Sequence, residues 1–298
     1  MSAKKSSMTG TKRGLAVVML FFCLAGAGIL GYMAWQERQE RRAGELFYAG
    51  LARQTVSHPV SESLKATESA IYADSASDTD HSGSMQSSEV YGDGAKSDGA
   101  VVLQQDSASE VDFEAIRQTC KDVVGWLQLE GSVIDYPVVQ GQDNAYYLNH
   151  LPDGTPNESG SIMMDQANRN TFADAVTILH GHNMRSGAMF GDLDLYADEA
   201  YYRAHPVMHL FTPEGDYEVL IFAAYTVDGN TFDYATSFSD EAAFEAFIQQ
   251  AMSETPYDTG ITVSYGDRIL LLSTCAYSYK DARFVVLGKL ASCHNVQG

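Results

Sequence analysis

Between residues 111 and 290 the chain repeats one pattern: short runs rich in Val, Ile, Leu, Phe and Tyr, most of them separated by Gly, Pro, Asn or Asp. These runs fall at 123–129, 133–139, 161–164, 176–180, 207–211, 217–227, 269–275 and 283–290. Runs of that length and composition, bounded by turn residues, read as β-strands. About eight in succession predict a mainly β domain, a barrel or a sandwich. Helices interrupt the series. Residues 112–120 have helical spacing, with Phe113, Ile116 and Cys120 on one side. Residues 240–252 align Phe244, Phe247, Ile248, Ala251 and Met252 in one stripe, with Asp240 and Glu241 at the end where the helix dipole favours acidic groups. That stripe is a packing face. A further helix is expected over 194–205.

The first third of the chain is built differently. Residues 14–35 carry no charge, and a helix of that length crosses a bilayer core. Lys4, Lys5, Lys12 and Arg13 precede it; Arg38, Arg41 and Arg42 follow, interleaved with Glu37 and Glu40. Counting Lys and Arg alone, the bias favours a cytoplasmic N-terminus with the bulk of the chain outside. A cleaved signal peptide is the competing reading, but the run exceeds an h-region of ~7–15 residues and no small-x-small site follows it. Residues 37–54 could continue the membrane helix as a short polar stalk, and 57–110, rich in Ser, Asp, Gly and Ala, read as a flexible tether with too few large apolar groups to offset chain entropy. The expected organisation is a cytoplasmic segment 1–13, an anchor 14–35, a stalk and linker 36–110, and a folded catalytic domain 111–298. The net charge of −20 excludes nucleic acid as a partner, because phosphate recognition needs a basic surface.

Three side chains at strand ends carry the chemistry. Cys275 closes the run 269–275, Arg283 opens the next, and the run 176–179 ends in His180-Gly-His182-Asn183. A thiolate attacks a carbonyl, an imidazole moves protons, and a guanidinium neutralises an oxyanion. A hairpin over 276–282 would bring Arg283 back beside Cys275, where positive charge raises the thiolate fraction. Either histidine could be the base. The H-x-H pair could also grip a metal, but no third ligand lies at a suitable spacing. Asp165, Asp192 and Asp194 form no acid–base pair by spacing, and there is no phosphate-cradling loop, G-x-S-x-G or H-E-x-x-H. Cys23, Cys120 and Cys293 complete the cysteines, without a CxxC; a Cys120–Cys293 bridge is left open.

Several blocks in order carry a resemblance: Asp122-Val-Val-Gly-Trp126, Ile134-Asp-Tyr-Pro-Val-Val-Gln-Gly141, Asp143-Asn144 with Tyr147-Leu148, Gly160-Ser-Ile162, Gly181-His-Asn-Met184 with Gly187-Ala-Met-Phe190, and Leu272-Ser-Thr-Cys275 with Ala282-Arg-Phe-Val-Val286. From about residue 111 onward the chain resembles class B sortases, membrane-anchored cysteine transpeptidases of Gram-positive bacteria. The resemblance implies an eight-stranded sortase β-barrel with an N-terminal helix and a helical insertion between strands six and seven. It implies that Cys275 attacks the Thr carbonyl of a C-terminal sorting signal on a secreted protein, forming a thioacyl enzyme. His182 would be the acid and base, and Arg283 the oxyanion partner. Asn144 and Leu148 match positions lining the sorting-signal groove, and Ser273 and Thr274 flank the nucleophile as further substrate-binding candidates. The acceptor would be an amine of a peptidoglycan precursor or of a pilin, and no cofactor or metal is required. One departure stands out: many members have Tyr where this chain has His180. The alternatives are another wall cysteine peptidase or L,D-transpeptidase, and a catalytically silent, membrane-tethered adhesion or scaffold domain.

Overall fold

The computed structural model describes the backbone of residues 8–57 and 110–293, with side chains over 26–56 and 111–293. The tether expected at 57–110 lies almost wholly outside the described residues. Two compact units divide the chain, Met1–Thr55 with Val111–Gly298, and Val56–Glu110. Every strand and helix that positions the site belongs to the first unit.

All eight expected strands form: β1 (Val123–Gln128), β2 (Asp135–Val139), β3 (Ile162–Met164), β4 (Val176–His180), β5 (Val207–Thr212), β6 (Gly215–Asp228), β7 (Ile269–Cys275) and β8 (Ala282–Ser292). They close a barrel in the order β8-β6-β5-β1-β2-β3-β4-β7, with β7 returning to β8. Neighbours are antiparallel except β2 with β3 and β4 with β7. The choice left open between barrel and sandwich is therefore settled by closure, which leaves no strand edge unpaired.

Alternation assigns the two faces of the sheet. Leu179, Leu270, Leu272, Phe284 and Val286 join Leu127, Val138 and Ile162 in the interior. Their neighbours Ile178, Ile269, Leu271, Val285 and Leu287 point outward and pack on Phe244, Ile248 and Ala251. Those three belong to the helix between β6 and β7, Glu241–Glu254, capped by the Asp240 carboxylate on the Ala243 N–H at 2.9 Å. A sheet apolar on both faces explains why 269–272 is a continuous hydrophobic run rather than an alternating one.

The other helices depart from expectation in part. Phe113–Thr119 is helical as its spacing predicts, with Asp112 capping the Ala115 N–H. The single helix expected over 194–205 is two pieces, a 3₁₀ stretch Leu193–Ala197 and an α-helix Glu199–Ala204. Asp198 separates them, because its extended backbone and its carboxylate on the Ala200 N–H start a new helix.

The long helix α1 (Met8–Thr55) contains both the expected anchor and the expected stalk. Residues 14–25 of the anchor lie outside the described side chains, and among the described residues no helix is long and apolar enough to cross a membrane. The stretch read as a polar stalk continues α1 as expected, but rather than standing free it docks. Gly44, Tyr48, Leu51 and Thr55, three or four residues apart, are buried in one stripe. Tyr48 sets its ring edge-on to Tyr136 of β2, 5.0 Å between centroids. Asn157 Nδ2 donates to the Glu40 carbonyl at 2.8 Å.

The outer core makes a direct prediction. Phe244 is fully buried, with Phe238 and Tyr265 edge-on at 5.3 and 5.8 Å. Phe244→Ala should cost about 3–5 kcal/mol in chemical denaturation, whereas a loss below about 1 kcal/mol would show that this helix is not part of the cooperative core.

Candidate active site

Strand register assembles the site. In the antiparallel pair β7–β8, Arg283 lies directly opposite Cys275. The connection 276–281 is closed by Ala276 N–H on the Ala282 carbonyl at 2.9 Å. In the parallel pair β4–β7, His180 is opposite Ser273. Beyond β4 the chain keeps to the side of β7: Gly181 N–H donates to the Ser273 carbonyl at 3.2 Å, Thr274 Oγ1 to the Gly181 carbonyl at 2.8 Å, and Asn183 Nδ2 to the Cys275 carbonyl at 2.8 Å. His182 thus comes level with Cys275. By the same alternation, Arg283, Cys275 and His182 form one outward-facing row over three adjacent segments, and Val285, Ser273 and His180 form the row below. All three members of the upper row are half-buried.

Gly181 lets the histidine segment lie this close. A Cβ there would stand 2.5 Å from Ile162 Cδ1 and 2.7 Å from Phe190 Cδ2, so any side chain would push the segment off the barrel.

The two imidazoles have different partners. His182 Nε2 is 2.7 Å from the Leu148 carbonyl oxygen, which can only accept, so Nε2 carries the proton. In the neutral ring Nδ1 is then the free base. His180 Nε2 is 2.9 Å from Asp165 Oδ2, and its ring lies edge-on to Tyr234 at 5.6 Å. Tyr234 Oη is 2.9 Å from Ser273 Oγ. The His180 bond, followed by the Ala167 N–H and the Asn144 amide, holds the Asp165 carboxyl below the usual range against its partial burial. The two rings do not converge on a common point, and among the described residues no group of three or more His, Cys, Asp or Glu could hold a metal ion.

The remaining sequence candidates sit around this row. Asn144 spans Asp165 Oδ2 with its amide N–H and the Gln166 N–H with its oxygen. Leu148 is half-buried and contributes its carbonyl to His182. Ser273 and Thr274 are 3% and 2% exposed, their hydroxyls turned to Tyr234 and the Gly181 carbonyl, which places them behind the row. Asp165, Tyr234 and Asn183 are additions that sequence reasoning did not single out as site residues. Tyr234 has no local signal, since it reaches the site from the loop after β6; Asp165 follows β3 directly and is set beside His180 by the β3–β4 pairing; Asn183 stood beside the Gly-His pair and could have been found.

The thiols also differ. Cys120, Cys275 and Cys293 are all free, so the bridge left open does not form. Burial pushes the Cys120 thiol up to about 11. Cys293 is raised by partial burial and by the Glu218 and Asp216 carboxylates. Cys275 alone faces a guanidinium across a strand pair.

A closed β-barrel bearing a cysteine, an imidazole and a guanidinium in one row defines a candidate cysteine acyl-transferase. Comparison with known proteins narrows the class. No family model matches the chain. It is 40% identical over 174 residues to sortase B of Listeria monocytogenes serovar 1/2a, covering 58% of this chain and 71% of that one. It is 32% identical over 180 residues to sortase B of Staphylococcus aureus, covering 60% and 74%. Among solved structures, a Staphylococcus aureus sortase B–substrate complex superposes with TM-score 0.58 at 32% identity over 61% of this chain and 85% of that one. Clostridium perfringens sortase B gives 0.58 at 31% identity over 60% and 100%. The chain belongs to the sortase B family and is a cysteine transpeptidase of the cell wall.

Two measurements check the site's electrostatics. Because the Asp165 carboxyl is lowered in the folded state, it contributes stability above its unfolded value near 4, lost as pH falls through the lower folded value. Wild type should therefore lose melting temperature more steeply below about pH 4 than Asp165→Asn; equal slopes would count against the His180–Asp165 bond. At neutral pH an alkylating reagent should label Cys275 well before Cys120 or Cys293. Labelling at equal rates would contradict an activated thiol.

Proposed function

We propose that the chain is an extracellular, membrane-anchored sortase that cleaves a C-terminal sorting signal after Thr and transfers the new carboxyl end to an amine. The observation that carries the chemistry is the single row Arg283–Cys275–His182 created by the β8–β7 register and the extension of β4. Sulfur attacks the Thr carbonyl carbon as the Cys275 thiol gives its proton to His182 Nδ1. Arg283 neutralises the oxyanion. As the tetrahedral species collapses, the C–N bond breaks and His182 gives its proton to the leaving amine, leaving a thioester. An acceptor amine then attacks the thioester and loses a proton to His182; the C–S bond breaks, and that proton passes to sulfur to restore the thiol and the neutral imidazole. The acceptor is an amine of a peptidoglycan precursor or of a pilin. Relatives of this chain include a sortase B solved as a substrate complex, which supports a sorting-signal peptide as the first substrate.

Asn144 and Leu148 border the row as part of the peptide groove. Ser273 and Thr274 serve the same site from behind by holding β7 and the Gly181 peptide in register. His180, tied to Asp165, orders the groove rather than moving protons.

Residues 14–35 form the anchor. Among the described residues Ile29, Leu30, Tyr32, Met33 and Trp35 on α1 are all exposed, an apolar surface of the kind lipid would cover. The N-terminus is cytoplasmic and the domain from 111 onward lies outside.

Incubation with a pentapeptide library, followed by mass spectrometry, should find a Cys275 thioester. Cys275→Ala should remove it completely, and His182→Ala should remove turnover. Arg283→Lys should lower kcat about 10²–10³-fold, since a point charge cannot replace the planar fork. His180→Ala should keep at least a tenth of wild-type turnover; the reverse order of the two histidine variants would overturn the assignment. Removing residues 1–35 should move the protein from the membrane to the soluble fraction, and continued sedimentation with membranes would sink the anchor.

A further inference from the structure

The docked part of α1 reaches both segments that hold His182, through Gly160 on one side and Tyr136 on the other. The first is the turn that carries Leu148. Tyr48 Oη donates to the Gly160 carbonyl at 2.6 Å. Gly160, with φ 58, is pressed against the next layer so tightly that a Cβ would stand 2.5 Å from the Leu148 carbonyl oxygen. That same oxygen accepts the His182 Nε2 proton. The second segment follows His182. Tyr48 meets Tyr136 edge-on, and Tyr136 Oη accepts the Met189 N–H at 3.2 Å. Met189, buried with φ 59, is bridged to Asn183, while the Phe190 N–H donates to the His182 carbonyl at 2.9 Å. One phenol therefore supports the ring of His182 on one side and its backbone on the other. Burial holds the Tyr48 hydroxyl well above the usual tyrosine range, so it remains a donor at physiological pH.

We propose that Tyr48 is a positioning residue for His182, so that docking of the N-terminal helix on the barrel sets the transpeptidase rate. This rests on the reading of His182 as acid and base. Proton transfer needs the Nδ1 lone pair aimed at the thiol and the leaving amine, and a displacement of about 1 Å costs on the order of 10²-fold in rate. Without the hydroxyl, the Gly160 carbonyl loses its clamp, the Leu148 carbonyl gains freedom, and Nε2 loses the partner that fixes the tautomer. Asn157 makes the second latch by donating to the Glu40 carbonyl, further toward the N-terminus of α1.

The test uses the full chain in nanodiscs and the peptide selected from the library. Tyr48→Phe keeps the ring on Tyr136 and removes one oxygen. It should lower kcat about ten- to a hundredfold with KM unchanged. In ¹⁵N NMR, His182 should pass from the Nε2–H form to a mixture of tautomers. Unchanged kcat and tautomer in folded Tyr48→Phe, with His182→Ala inactive, would overturn the proposal; so would a lower melting temperature with kcat unchanged. Turnover by His182→Ala would instead sink the reading of His182 itself and the proposal with it. Asn157→Asp offers an independent check, since it keeps an oxygen to cap the Ser159 N–H but sets a carboxylate oxygen against the Glu40 carbonyl in place of the donor, which opens the latch. It should shift kcat and the His182 tautomers in the same direction, and wild-type values would show that helix docking does not set the rate.

Discussion

The register of β7 is the constraint on which the site depends. β7 has an antiparallel neighbour on one side and a parallel one on the other. That combination alone brings the start of β8 and the end of β4 to the same end of β7. Because side chains alternate with a period of two, a slip of one residue would turn Cys275 into the barrel and Leu272 out of it. The pairing of Ile269, Leu271, Val285 and Leu287 with an outer helix opposes such a slip, since the apolar residues of both faces are already committed. The chemistry of the row is therefore held by hydrophobic packing several residues away from it.

The same packing decides where the row becomes accessible. Helix Glu241–Glu254 covers the outer face over the lower rungs, where Ile178, Leu271 and Leu287 lie. One rung higher the outward residues turn polar: His180 and Ser273, with Tyr234 and Asp165 as partners. The next rung is the half-buried row itself. This gradient gives the two histidines distinct surroundings although they share a face. His180 faces a fixed carboxylate, whereas His182 faces a carbonyl that leaves one nitrogen free.

Much of this was legible in the chain, and the exceptions have physical causes. The eight strands and the helix at 241–254 were readable because burial imposes periods of two and 3.6, and turn residues separate them. Arg283 and Cys275 were readable as a pair because a hairpin is a local event. His182 was not separable from His180 by spacing, since both lie on one face; the resemblance to class B sortases distinguished them. The docked half of α1 was missed because Glu37, Glu40, Arg41 and Arg42 dominate its composition. The spacing of Gly44, Tyr48, Leu51 and Thr55 was the available signal. The break at Asp198 was equally present as a capping residue inside an apparent helix. Asp165 lies one residue past β3, and only the register of β3 on β4 sets it beside His180; Tyr234 was beyond reach, because it comes to Ser273 from a loop 39 residues away.

Closure has a consequence for the order in which the enzyme comes into being. Val176 must wait for Ile269 before β4 has its second neighbour, and β8 is the strand that seals β6 to β7. That final strand also brings Arg283. A nascent or truncated chain ending before it holds a thiol without a cation beside it, on a sheet whose two edges are still open. Closing the barrel and completing the row are thus a single event, set by the pairing of β8 with β6 and β7.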